Sequence, residues 1–235
     1  MKGQPMRKQA LLIGNSDGIG KAVTQKLLTE GWTVYGISRS DVSLNHPSYQ
    51  HAAADVREQA YSDTLRDVLA KAGPLDVCIY CAGIGELLDA SDLTMDVQVV
   101  EVNLMGLIKT VARVLPVMLE KGGGHFIGLS SVADVLLSDE APAYHASKAG
   151  FSNYLEGLAL ALKNQPVYIT NVRFGFVDTK MAKGPVKPFM MSVERATDHL
   201  LKCIKTKPAR YTVPKIAIPL VAFRRFMLKI KLMFP

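Results

Sequence analysis

Short apolar runs along the chain alternate with longer stretches whose apolar positions recur every three to four residues. The run QALLI at 9–13 predicts a first strand. The stretch GIGKAVTQKLLTEG predicts a helix closed by Gly31. TVYGIS reads as a second strand and YQHAAAD as a third. REQAYSDTLRDVLAKAG is amphipathic and ends at Gly73, and LDVCIY is a fourth strand. Residues 92–120 read as one long helical region, HFIGLS as a fifth strand, 143–163 as a helix, VYITNVRF as a sixth strand and 192–205 as a helix. Continuously apolar strands set between helices predict a parallel sheet covered on both faces. The expected class is a doubly wound α/β domain of six to seven strands, which takes its ligands at the carboxyl ends of the strands. No short repeat, low-complexity segment or interdomain linker interrupts the pattern.

Composition adds little to this picture, and charge adds more. With 235 residues, 49% of them hydrophobic and 21% charged, the chain suits one globular domain with a full core. No run reaches the roughly 18 apolar residues of a membrane span. The N-terminal stretch lacks the apolar region and cleavage site of a signal peptide, so a cytoplasmic location is expected. Three cysteines argue against a disulfide framework. Cys78 and Cys81 form a CxxC, but inside a strand their odd separation sends them to opposite faces, which disfavours a metal or redox pair. The net charge of +7 is uneven: residues 199–235 carry nine Lys/Arg and no acid, leaving nineteen basic against twenty-one acidic residues in 1–198. A nucleic-acid partner is not expected, since the basic excess belongs to the tail and not to the domain face. The chain therefore divides into a main domain at 1–198 and a basic, amphipathic extension of it at 199–235.

Two stretches carry candidate chemistry. In GNSDGIG, Gly14, Gly18 and Gly20 fall between the first strand and the first helix, where a tight turn and free helix amides suit a phosphate. In YHASK, Tyr144 and Lys148 stand four residues apart, on one face of a helix. An ammonium there would favour the phenolate and bring a proton donor toward working pH.

Together with further stretches, these two resemble the short-chain dehydrogenase/reductase family. The spacing Gly-x-x-x-Gly-Ile-Gly is similar to its cofactor loop. CAG at 81–83 resembles its Asn-Asn-Ala-Gly turn, and VNLMG its catalytic-asparagine helix, at Asn103. GLSSVA resembles its serine strand, YHASK its Tyr-x-x-x-Lys and FGFVDT at 174–179 its Pro-Gly-x-x-x-Thr loop. Ser131 precedes Tyr144 by the family's thirteen residues and matches better than Ser130. The resemblance covers roughly 8–180 and implies a Rossmann-fold oxidoreductase exchanging hydride between a nicotinamide and a carbonyl/alcohol pair. It implies that Tyr144 gives or takes the proton, that Ser131 stabilises the substrate oxygen, that Lys148 lowers the Tyr144 pKa and holds the nicotinamide ribose, and that Asn103 anchors a water leading to solvent.

The resemblance also places the cofactor on Gly14, Asn15, Ser16, Gly18, Ile19 and Gly20. The second strand would contribute Ser38 and Arg39, and the third Asp55 and Val56. Ala82, Gly83, Tyr144, Lys148, Gly175, Val177 and Thr179 complete the set. Where the resemblance implies that NAD-preferring members carry an acid, at the end of the second strand, Ser38 stands instead, and Arg39 after it suits a 2′-phosphate. This favours NADP(H) and leaves NAD(H) open. Against it, Asp17 stands where NADP-binding relatives often carry a base, and Arg39 could be a solvated loop charge. Three departures stand out: Ile13 for the usual Thr, Tyr80-Cys81 for the two Asn, and Phe174 for Pro. Substrate specificity falls to 84–91, 133–142 and 180–191, with Leu136 and Leu137 as apolar walls and Gly184, Pro185 and Pro188 as lid punctuation. The expected partners are a small carbonyl or alcohol and a sister subunit, as a homodimer or homotetramer. A cofactor-binding regulatory protein with little turnover is the alternative reading. In the tail, Phe223, Phe226, Met227 and Ile230 follow helical spacing beside Arg225 and Lys229. That face suits packing on the domain, packing on a sister subunit, or peripheral membrane contact through 215–235.

Overall fold

A computed structural model of the chain describes residues 7–42, 44–182, 187, 189–216, 219, 223, 225–228, 230 and 233. Its strands are β1 (Gln9–Ile13), β2 (Thr33–Ser38), β3 (Tyr49–Ala53), β4 (Val77–Tyr80), β5 (Gly124–Ser131), β6 (Val167–Phe174) and β7 (Arg210–Val213). They form one parallel sheet in the order β3-β2-β1-β4-β5-β6-β7. The helices are α1 (Gly18–Thr29), α2 (Ala60–Ala72), α3 (Thr94–Val100), α4 (Gly106–Glu120), α5 (Pro142–Ala161) and α6 (Val193–Thr206). The strand order reverses between β1 and β4. In doubly wound folds that reversal opens the ligand crevice beyond the strands' carboxyl ends.

The apolar runs are explained by burial on both sides of the sheet. Leu11 and Ile13 of β1 join a core beneath α2, α4 and α5, whereas Ala10 and Leu12 join a second core beneath α1 and α6. A period of two with both faces dry removes the polar alternation of a half-exposed strand. Cys78 and Cys81 follow the same rule. Cys78 lies in the first core, Cys81 packs against the second, and both are free thiols.

The helix boundaries follow their chemistry. Asp17 caps α1 by accepting from the Gly18 amide, and Ser192 caps α6 by accepting from the Arg195 amide. Gly31 and Gly73, both at positive φ, close α1 and α2 where the sequence predicted. The region 92–120 departs from one uniform helix: Glu101–Met105 forms a π-helical turn between α3 and α4. Residues 94–120 are long and apolar enough by composition to cross a membrane, yet Val102, Leu107, Val111, Val114 and Met118 lie in the core over the sheet.

Strand β7 is the element missing from the strand-by-strand reading. RYTV was grouped with a basic tail because Arg210 and its neighbours dominate the local charge. It instead pairs with β6, Asn171 beside Arg210 and Phe174 beside Val213, and widens the sheet to seven strands. The division drawn at 198/199 falls inside α6, so 199–213 is built into the sheet domain.

Candidate active site

The crevice begins where two turns touch. Gly14, at φ 84°, follows β1, and a Cβ there would sit 2.5 Å from the Ala82 backbone nitrogen after β4. A Cβ on Gly20 would lie 2.1 Å from the Gly14 carbonyl oxygen. Side chains at either position are sterically barred, which draws the turn tight against the start of α1. The free amides and positive dipole end of that helix then face the crevice and suit a phosphate. Across the gap, Thr179 packs against Gly18, and Lys180 Nζ bridges to Asp17 at 2.8 Å.

Main-chain bonds hold the turns, from the Gly14 amide to the Ile37 carbonyl and from the Cys81 amide to the Ile13 carbonyl, both at 2.8 Å. Tyr80 has taken a different job. Its fully buried phenol donates to the Val102 carbonyl at 2.6 Å, inside the π-helical turn. A π turn breaks the regular ladder of i to i−4 bonds. The ring fits because residue 106 is glycine: a Cβ there would lie 2.3 Å from the phenol oxygen. Phe174, in place of proline, is buried in the second core, and the Gly175 amide is held by the Val213 carbonyl at 2.8 Å.

The turn orients Asn103 with care. Its Oδ1 accepts from the Ile84 amide at 2.9 Å, while its Nδ2 donates to the Ile84 carbonyl at 2.9 Å and to Ser147 Oγ at 3.0 Å. Ser147 in turn donates to the Tyr144 carbonyl at 2.7 Å. The asparagine side chain thus ties the loop after β4 to α5 and lies wholly buried behind the crevice wall.

Ser131 ends β5 and lines the crevice with Tyr144, where its hydroxyl pulls the phenol's pKa down. Ser130, one residue earlier, points to the opposite side and meets Ser152 Oγ at 2.8 Å. Lys148 is buried, and its Nζ donates to the Leu129 carbonyl at 2.9 Å, 5.9 Å from the centre of the Tyr144 ring. Burial pushes the lysine down to about 8, against the opposing pull of Asp134 and Cys81. Burial raises the Tyr144 phenol above its ordinary value; the Ser131 hydroxyl counters this, and the Asp134 charge adds to it. The expected lowering of Tyr144 by Lys148 is therefore not what this arrangement shows. The ammonium is turned to a backbone carbonyl, and desolvation dominates.

These groups share one crevice of about 1290 Å³. Gly14, Ser16, Gly18, Ile19, Gly20, Ser38, Arg39, Asp55, Val56, Ala82, Gly83, Gly175, Val177 and Thr179 all line it, as do Ser131, Tyr144 and Lys148. Asn15 and Asn103 do not. Asn15 is fully buried and donates to the Tyr49 hydroxyl at 2.6 Å, behind the loop. Asp55 is held by Arg57, whose Nη2 lies 2.7 Å from its Oδ2, and this keeps the carboxyl below its usual range. Leu136 lines the crevice, whereas Leu137 is largely exposed. Gly184, Pro185 and Pro188 lie outside the described residues.

One constellation escaped sequence reasoning. Arg173 makes a two-pronged pair with Asp134, Nε to Oδ2 at 2.6 Å and Nη2 to Oδ1 at 2.5 Å, with both side chains buried. Ser152 donates to Asp134 Oδ2 at 2.5 Å, and through Ser130 the chain reaches the Lys148 carbonyl. The signal was present: a lone arginine in the apolar run VYITNVRF must find a partner if that run is a buried strand.

The comparisons with known proteins decide the family. The model of the short chain dehydrogenase family matches residues 8–187. The chain belongs to that family. An uncharacterized oxidoreductase of Myxococcus xanthus is 29% identical over 227 residues, 90% of each chain. One from Staphylococcus epidermidis is 28% identical over 186 residues, 75% of this chain and 81% of that one. A short chain dehydrogenase from Burkholderia cenocepacia, solved in complex with NADP, superposes with a TM-score of 0.83 at 23% identity, over 97% of this chain and 98% of its own. A 3-ketoacyl-(acyl-carrier-protein) reductase from Brucella melitensis, complexed with NADH, gives 0.79 at 17% identity, over 88% and 96%. As a short-chain dehydrogenase the protein is an NAD(P)-dependent oxidoreductase. Its seven-stranded sheet is the fold those structures share.

Proposed function

We propose that this dehydrogenase uses NADP(H) to interconvert a carbonyl and an alcohol, with Tyr144 as the proton-transfer group. The observation that carries the reading is that Ser131, Tyr144 and a buried Lys148 line one wall of a crevice continuous with the amino end of α1. The crevice fits a dinucleotide. Gly14 and Gly20 leave room that any Cβ would fill, and the α1 amides suit a diphosphate. Ser38 and exposed Arg39 lie at the β2 end of the crevice, and the last residue of the strand is a serine rather than a carboxylate that would repel a 2′-phosphate. Asp17, the opposing sign at this end, is engaged by its own helix amide and by Lys180.

The cofactor, when bound, supplies or accepts the hydride. Tyr144 Oη gives its proton to the substrate oxygen in reduction and takes it back in oxidation. Ser131 Oγ bonds that oxygen and stabilises charge as it develops. Lys148, with its Nζ 5.9 Å from the centre of the Tyr144 ring, holds the nicotinamide ribose beside it. Asn103 acts one step back, fixing the Ile84 backbone and Ser147 beneath Tyr144. A raised Tyr144 pKa suits the reductive direction, since the group waits protonated. Leu136 and the exposed Met181 and Phe189 give the substrate end an apolar lip.

The test is binding followed by turnover. NADPH and NADH affinities are measured by fluorescence, then consumption is followed over a panel of ketones and aldehydes. Arg39→Ala should weaken NADPH by roughly 1.5–3 kcal/mol, the worth of a charge-assisted bond, and leave NADH nearly unchanged. Equal losses would refute the NADP(H) assignment, and binding without turnover on any carbonyl would favour a regulatory protein.

A further inference from the structure

The segment after β7 leaves the domain at the lip of the crevice. Pro214 lines the crevice itself, and its ring lies 3.1 Å from where a Cβ of Gly175 would be. Beyond it, the described residues 219, 223, 225–228, 230 and 233 are helical. Phe223, Phe226, Met227, Ile230 and Met233 recur at helical spacing and are 65%, 60%, 48%, 36% and 72% exposed. The face that could have packed on the domain is therefore turned outward. Ile216, which precedes it, is also exposed, at 57%. Around this apolar stripe the sequence supplies only positive charge: 215–235 holds five Lys/Arg and no acid, with Lys215 and Arg225 exposed among the described residues.

We propose that this tail helix docks the protein on an anionic lipid bilayer. An amphipathic helix with an aromatic and aliphatic face and a cationic flank is matched by such an interface, where apolar side chains enter the acyl boundary and the charges meet lipid headgroups. The other occupants fit less well. A second copy would set the same patch against itself in an isologous interface, bringing the five positive charges of 215–235 toward five more, with no acid in the segment to offset them. A nucleic-acid backbone would use the charges but leave the Phe, Met and Ile face in water. The exposed Met181, Phe189 and Met190 lie on the loop whose Met181 and Phe189 form the crevice lip with Pro214. A docked tail thus holds the crevice mouth close to the bilayer.

The experiment is flotation of the full-length protein with vesicles of phosphatidylcholine alone and of phosphatidylcholine with phosphatidylserine. The protein should float with anionic vesicles at low salt, release at high salt and stay behind with neutral vesicles. Phe223→Ser/Phe226→Ser should lower the lipid-bound ratio by about tenfold or more with an unchanged thermal midpoint. In a Phe226→Trp variant, brominated acyl chains should quench the new indole and spare buried Trp32. No anionic-dependent flotation at low salt overturns the proposal, as does equal flotation of the double-serine variant. A dimer by sedimentation that the serine variant abolishes, with no flotation, assigns the face to a second copy instead.

Discussion

Cutting one side of the Asp134–Arg173 pair should damage the protein more than removing both sides. Arg173 sits in β6 and Asp134 in the 3-10 turn that follows Ser131, and their side chains are 5% and 3% exposed. Burying two ions costs several kcal/mol each, which their attraction recovers only with good geometry. Here the geometry is two-pronged, and Ser152 donates a third bond to the carboxylate. Arg173→Met leaves a buried carboxylate facing an apolar chain; Asp134→Leu leaves a buried guanidinium. Each should cost about 3–5 kcal/mol, the usual result of orphaning one buried ion. The double variant replaces both with apolar groups of similar bulk and should cost less than either single change. Urea unfolding at pH 7 measures this, with coincident fluorescence and circular-dichroism transitions as the two-state check. If the two losses simply add, or if each single loss stays under about 1 kcal/mol as for a hydrated surface pair, the account of this network is wrong.

Tyr144→Phe should retain fold and cofactor binding while turnover falls about 10²–10⁴-fold, the worth of a positioned general acid. Lys148→Met added to it should cost little further turnover at saturating cofactor, because the two act as a unit; multiplicative losses would assign Lys148 to cofactor holding alone. Lys148 also predicts a pH signature in the cofactor-free protein. Its folded pKa of about 8 lies below the ordinary 10.5, so between those values the unfolded chain holds a proton that the folded chain lacks. Wild-type stability should therefore rise with pH from about 8 to about 10.5 relative to Lys148→Met. Below about pH 8 the full penalty applies, roughly 3 kcal/mol. A pH-independent difference between the two unfolding curves would show that the ammonium is not desolvated.

Elements whose signals are local were legible in the chain, and those that depend on a partner were not. β1, α1 and the turn between them could be read because apolar period and three glycines agree within twenty-odd residues. β7 could not, because RYTV is short and half-buried, and it owes its strand conformation to pairing with β6. The π turn at 101–105 was hidden for a related reason. Nothing in EVNLM departs from helical propensity, and the distortion is supported from a distance by Tyr80, whose phenol takes the Val102 carbonyl. Motif spacing placed Ser131, Tyr144 and Lys148 on one crevice wall, since strand and helix periods fix which side chains emerge together. It could not give their electrostatics. The lysine four residues after the tyrosine suggested a lowered phenol, but its position in the helix says nothing about how deeply both groups are desolvated or that Asp134 stands behind them. Spacing also named Asn15 as a cofactor contact, and Gly36 explains why its side chain turns away. A Cβ at residue 36 would lie 2.1 Å from the Asn15 amide nitrogen, so the glycine on β2 opens a pocket that the asparagine fills on its way to Tyr49. That pocket needs β1, β2 and β3 assembled side by side. The same dependence separates the two ends of the crevice: the Gly14–Gly20 end rests on glycines within one turn, while the Tyr144 end rests on ties from β4, the 101–105 turn, α5 and β6 that form only in the completed sheet.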